Sequence, residues 1–300
     1  RGIEALNCVL ELQYPTSSWP WSGTFPVTAE QADPPGEEAV EWLHYDPNWR
    51  QFLGCILSMT LAFHDSSLPV ELQGRLWSAL GSCVRGEPEQ RIPDWYTNPN
   101  LMHAWLQARV GRHEADDDLI SAGERRARMI LERFERFGDV DEYNSPTYDG
   151  IDLFALTLWV ELPPSEAFET MGASILDRIS TRLSVLYHRE LGALCGPYIR
   201  AYGLELNRYV SLIGMWLFLA GEPPSSVLPP HLTGESVHLH DLYFLPLFSR
   251  LAHHVTSRLT LSDMVEQRRY EQSFEGSRAS SLLRDGQAIG WDSGRRHDFA

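Results

Sequence analysis

The stretch SPTYDGIDLFALTLWV, residues 145–160, decides how the chain is read. Ser145 is suited to cap a helix by accepting a backbone N–H. Pro146 fits the first helical position, where its missing N–H would be unpaired in any case. Beyond Gly150 the segment is apolar on almost every side, which predicts a helix buried all round. NRYVSLIGMWLFLAG, residues 207–221, has the same character. By contrast DDDLISAGERRARMILERFERFG, residues 116–138, is charged over most of its circumference. It leaves Ile120, Met129, Ile130, Phe134 and Phe137 for packing, as an outer helix would. Outer amphipathic helices alternating with inner apolar ones predict an all-α fold, specifically an (α/α) toroid built from helical hairpins.

Working outward, helical periodicity covers residues 2–13, 37–64 with a break at Pro47, 69–85, 97–111, 116–137, 146–160, 165–192, 202–220, 240–257 and 259–273. Pro- and Asn-bearing turns punctuate these segments. After about residue 275 the sequence turns Ser-, Arg- and Gly-rich. The expected organisation is therefore a toroid over 1–275, with 276–300 a linker or the start of a β-rich domain. Because the chain starts at Arg1 and stops after a charged run, it reads as a fragment, and its compartment and oligomeric state stay open.

Composition excludes several functions. With 300 residues, 43% of them apolar, the chain can bury a large core. All 25 basic residues are arginine, which removes Schiff-base lysine chemistry and a P-loop lysine. A formal net charge of −16 argues against a nucleic-acid partner, since phosphate neutralisation needs a basic footprint. No apolar run reaches the roughly 18 residues that span a membrane. Cys8, Cys55, Cys83 and Cys195 are widely spaced and read as buried free thiols.

Hydrogen-bonding groups gather just ahead of several helices. EYNSPTYDG, residues 142–150, concentrates Glu142, Asn144, Ser145 and Tyr148 at one helix start, and DWYTNPN, residues 94–100, does the same with Tyr96, Asn98 and Asn100. Tyr198, Arg200, Tyr202 and Glu205 precede the most apolar helix. His238 and His240 lie in VHLHD, and Trp291, Arg295, Arg296 and His297 in WDSGRRHDF. Helix starts meeting at one rim would build a polar, aromatic cleft over an apolar floor. A phenol in the first turn of a helix sits at the positive end of the macrodipole, so Tyr148 is a candidate acid or base. The bland alternative is a core tyrosine at a structural helix start. His238 and His240, with Asp241, are read as helix-capping groups or a secondary acid/base pair. A cation held there in an extended segment is the minor alternative, and neither metal nor organic cofactor is expected. His253 and His254 read as surface or core.

EYNSPTYDGIDLFAL resembles the segment that opens an inner helix in heparinase II/III-like polysaccharide lyases. TNPNLMHAWLQARVG is similar to the asparagine-bearing helix start of the same family. The resemblance spans residues 94–160. It implies a helical toroid followed by a β-sandwich, with Tyr148 as catalytic tyrosine and Asn98 or Asn100 neutralising a uronate carboxylate. Asp149 stands where the family has histidine, and His103 is the nearest substitute for a second expected histidine. The leading expectation is a lyase cleaving uronic-acid glycans by β-elimination. In it Asn98, Asn100 and Arg200 bind carboxylate and hydroxyls, and Glu142 either orients Tyr148 or acts as an acid/base itself. A glycoside hydrolase using paired carboxylates is the alternative, and a non-catalytic helical binding scaffold is the third reading.

Overall fold

The computed structural model describes residues 1–28, 31, 33–188, 192–195, 198–200, 210–222 and 238–261, and the backbone of 272–275, 283–284, 287–288 and 296–299. The described chain is mostly helical. Its helices are α1 (Gly2–Glu11), α2 (Trp49–His64), α3 (Val70–Arg85), α4 (Thr97–Glu114), α5 (Asp117–Phe137), α6 (Tyr148–Glu161), α7 (Glu166–Leu186), α8 (Leu212–Leu219) and α9 (Leu245–Thr256). Two-residue strands Tyr187–His188 and Ala193–Leu194 pair antiparallel, as do Gln272–Glu275 with Arg296–Phe299 and Leu283–Arg284 with Gln287–Ala288.

The helix boundaries differ from expectation where the backbone is punctuated. Residues 37–48 are not helical: isolated bridges join Phe25 to Asp46 and Glu41 to Tyr45, and Trp42 sits at φ 67. Pro34, Pro35 and Gly36 precede this stretch and Pro47 closes it, so α2 begins only at Trp49. The helix expected to run to 192 ends at Leu186, where the chain becomes a strand. Leu239–Phe244 is a 3-10 turn; residues 259–261 are not helical and 272–273 belong to a strand, while 202–209 and 262–271 of the expected helices lie outside the described residues. Among the four free cysteines, Cys55 and Cys83 are buried, but Cys8 and Cys195 are exposed, contrary to the buried reading. No helix among the described residues is long and apolar enough to cross a membrane.

The chain divides into two compact units, residues 1–93 with 102–126 and residues 94–101 with 127–300. In the first, α2 packs on α3 and α1 on α3. Gly54 lets Leu106 lie on α2, since a Cβ there would stand 2.8 Å from Leu106 Cδ1. Several buried polar groups of this unit form a network around Glu87. Arg50 donates to the carbonyls of Ser22 (2.8 Å) and Pro47 (3.2 Å) and lies 3.5 Å from Glu87. Gln51 donates to Glu87 (2.9 Å) and meets His103 Nδ1 at 3.3 Å. Burial pushes His103 down to about 3, so the ring is neutral. Burial by itself would raise Glu87, but its hydrogen bonds and charge contact with Arg91 outweigh that and leave it lowered.

The second unit is organised around α6, which touches α7, α8 and α9. Its apolar circumference is buried as expected, with Leu153, Phe154, Leu156, Leu158 and Trp159 all inaccessible. Each such side chain contributes roughly 1.5–3 kcal/mol by leaving water. Trp159 meets Phe168 edge to face at 4.7 Å and donates to the carbonyl of Leu101 at 3.0 Å. Trp216 lies flat on Phe248, with centroids 4.3 Å apart, and donates to the carbonyl of Gly150 at 2.9 Å. Only glycine fits at 150, because a Cβ would stand 2.6 Å from the Cβ and carbonyl carbon of Leu212. On α5, Ala127, Ile130 and Phe134 face inward, as a one-sided amphipathic helix requires.

Candidate functional site

The start of α6 is fixed by Ser145. Its hydroxyl accepts the N–H of Tyr148 (3.1 Å) and its carbonyl accepts that of Asp149 (3.1 Å), so it caps the helix from just outside the regular turns. Asn144, one residue earlier, is left-handed at φ 50 and donates to the carbonyl of Cys195 at 2.8 Å. The segment around Arg200 is thereby tied to this loop.

Glu142 is the hub. It is 1% exposed, and its carboxylate accepts the backbone N–H of Asn98 (3.0 Å) and the Asn98 side-chain amide at 2.9 Å on both oxygens. Arg200 completes its shell with an Nη1 to Oε1 contact of 2.5 Å. The other terminal nitrogen of Arg200 donates to the Tyr148 hydroxyl at 3.0 Å. The guanidinium lies 4.0 Å from the Tyr148 ring centroid and 5.2 Å from that of Tyr96, so two phenols flank one cation. Burial raises Glu142 above the ordinary carboxylate range, against the opposing pull of Arg200 and Asn98.

Close to this cluster lie further buried acids, of which the sequence singled out only Asp149, as a departure from the lyase pattern. Arg182 of α7 forks onto Asp149 with bonds of 3.0 and 2.9 Å, and approaches Asp139 at 2.9 Å without the alignment of a hydrogen bond. Burial pushes Asp149 up to about 6 despite Arg182, and it raises Asp139 as well. Asp152, one turn after Tyr148, is fully buried, and neither of its oxygens finds a hydrogen-bond partner among the described residues. Burial, reinforced by the Glu142 and Asp149 charges, holds it well above its usual value. Four buried carboxyls thus share two guanidiniums, and perturbed groups so arranged mark candidate functional sites. The readable signal was an aspartate in an otherwise apolar, fully buried helix.

The other expected site residues fall in different places. Asn98 and Asn100 are fully buried, Asn98 on Glu142 and Asn100 donating to the carbonyl of Tyr96 at 2.9 Å. Tyr96, Tyr148, Tyr198 and Arg200 are partly accessible. The Tyr198 hydroxyl is bonded to the carbonyl of Leu194. His238 and His240 form a separate group, 3.0 and 3.4 Å from the Asp241 carboxylate. The segment carrying them is a 3-10 turn entered through a left-handed His238, so the extended conformation considered for it is not adopted. His103, the substitute histidine, belongs to the Glu87 network of the first unit. Tyr202, Glu205, Trp291 and Arg295 lie outside the described residues, and Arg296 and His297 are described only as backbone of a strand.

No curated protein and no solved structure matches the chain. The loop that carries Glu142, the helix start at Tyr148 and the partner segment at Arg200 all fall inside one matched region, residues 1–253, by which the chain belongs to the family described as a domain of unknown function, DUF8769.

Proposed function

We propose that the second unit carries the reactive centre of a carbohydrate-active enzyme on an (α/α) toroid scaffold, a lyase that cleaves uronic-acid glycans by β-elimination. The observation that carries this reading is the double engagement of Arg200, which donates to the Tyr148 hydroxyl at 3.0 Å while paired with the buried Glu142. A guanidinium at the phenol oxygen stabilises negative charge developing there, as a tyrosine base requires. Tyr148 removes the proton from the carbon α to the uronate carboxylate. The carbon–oxygen bond at the β carbon breaks, a double bond forms between the two carbons, and the leaving oxygen takes up the proton. Arg200 spreads its charge over the substrate carboxylate, and Asn98 and Glu142 hold Arg200 in place. Tyr96 and Tyr148 are partly accessible, so the phenol that Arg200 holds can be reached from outside.

Glycoside hydrolysis is the second reading, favoured by the raised Glu142, which would then serve as general acid. Its burial and full hydrogen-bond shell favour Tyr148 over it as the group that meets substrate. Incubation with a panel of uronate glycans separates the two. The ultraviolet absorbance of an unsaturated uronate end should appear and should fall by roughly 100-fold or more in rate in Tyr148→Phe. New reducing ends without that absorbance, surviving in Tyr148→Phe but lost in Glu142→Gln, would establish the hydrolase instead. Silence in both assays, with binding to a protein partner, would favour the scaffold.

A further inference from the structure

The far end of α6 carries a second constellation, which the Tyr148 chemistry does not use. Glu161 is the last residue of α6, and His253 and His254 lie in the last turn of α9. Thirteen residues at about 1.5 Å rise put Glu161 roughly 20 Å along the helix from Tyr148. The two helices are locked together by apolar contact, with Phe154 and Phe248 at 5.7 Å, so the polar groups at this end are presented by a packed frame.

Adjacent residues on a helix point about 100° apart, so neighbouring histidines ordinarily diverge. Here they converge. His254 Nε2 lies 2.7 Å and His253 Nε2 3.5 Å from the same Glu161 oxygen, with the two rings 3.9 Å apart. The three donor atoms all fall within 4.8 Å of one another. A tetrahedral zinc ion with bonds of about 2.0–2.1 Å holds its ligand atoms roughly 3.3 Å apart, between the two separations of 2.7 and 3.5 Å from the Glu161 oxygen. His253 is 63% exposed and has room to point to solvent, yet it is turned to the carboxylate. Both α6 and α9 bring their C-terminal ends here, and the negative end of a helix dipole favours a cation. The Arg258 guanidinium draws on the same field through the His254 carbonyl at 2.7 Å; its charge also acts on the His254 ring, and its ion pair with Asp177 offsets part of it.

We propose that Glu161, His253 and His254 bind one divalent cation of the zinc class, through two imidazole Nε2 atoms and a carboxylate oxygen. Water completes the coordination on the exposed side. The ion clamps the C-terminal end of α6 to α9. Its distance from Tyr148 makes it a structural site, and it stands whether or not the lyase reading holds.

The test is calorimetric titration of the chelator-treated full chain with Zn2+, and visible absorption with Co2+ in its place. One equivalent should bind with Kd at or below about 1 µM. Glu161→Gln and His253→Ala should each weaken it by about 100-fold, since even outer-shell losses cost ~10–100-fold. Because His253 is largely exposed, His253→Ala should melt like the metal-free parent, yet gain no thermal stability from Zn2+. His240→Ala, in the Asp241 group, should leave the affinity unchanged. The proposal is overturned by absence of binding at millimolar metal, by affinity that survives His253→Ala, or by sulfur-to-cobalt charge-transfer bands, which would place the ion on Cys8 or Cys195.

Discussion

The two units bury charge in opposite ways. In the first, Glu87 sits between Arg50 and Arg91 with Gln51 and a neutral His103 alongside, so the buried acid at the centre of this network has its counterparts. In the second, Asp139, Glu142, Asp149 and Asp152 share Arg182 and Arg200, and Asp152 has no hydrogen-bond partner among the described residues. A balanced network needs no explanation beyond stability. A surplus of buried acid costs stability, and such costs concentrate where function demands them.

The largest expected break is Arg182→Met. It leaves Asp149 and Asp139 buried without their cation and should destabilise the second unit by about 3–5 kcal/mol, read by hydrogen exchange in α6 and α7. Full protection of those helices in the variant would mean that Arg182 neutralises nothing essential. Next is a pair of glycines. Gly150→Ala drives a Cβ into the Leu212 backbone and should cost ~1–3 kcal/mol, whereas Gly54→Ala meets only the movable end of Leu106 and should cost less. Equal losses in the two denaturation curves would contradict the packing described for α6 and α8.

Asp152→Asn should act in the other direction. A carboxyl raised in the folded state contributes fully below its unfolded value near 3.8, and its contribution is lost as pH rises toward the folded value. The variant should therefore be more stable than the parent near neutral pH, by roughly 1–3 kcal/mol, with the gain vanishing below that unfolded value. A stabilised variant with reduced glycan cleavage would tie the acid surplus to activity.

The smallest effect sharpens the contrast by pH alone. His103 contributes fully above 6.5, and its contribution is lost as pH falls toward about 3. Asp149 contributes fully below 3.8, and its contribution is lost as pH rises toward about 6. Acidification should thus loosen exchange-protected amides around His103 while tightening those around Asp149. Parallel responses in the two units would refute the assignment.

The sequence made the inner helices legible because burial on all sides writes itself as nearly continuous apolar residues, in IDLFALTLW and SLIGMWLFL alike, with Asp152 the one charge among them. The loop ahead of Tyr148 was legible too, since capping chemistry and a phenol at a helix start are local features. What stayed hidden was long-range pairing. Arg182 lies 33 residues from Asp149, and Asn98 lies 44 from Glu142. Nothing in periodicity says that Asn98 faces a protein carboxylate. Residues 37–48 misled because their apolar spacing resembles a helix, while two prolines and a glycine before them and Pro47 near their end set the backbone otherwise.

Trp216, flat against Phe248 and bonded to the Gly150 carbonyl two residues past Tyr148, also makes the molecule its own optical instrument. An indole sealed from water emits toward the blue, and any shift of the α6 start against α8 and α9 changes both its hydrogen bond and its stacked neighbour. Subtracting the spectrum of Trp216→Phe isolates that signal, so occupancy of the Tyr148 end can be followed in real time with no attached dye.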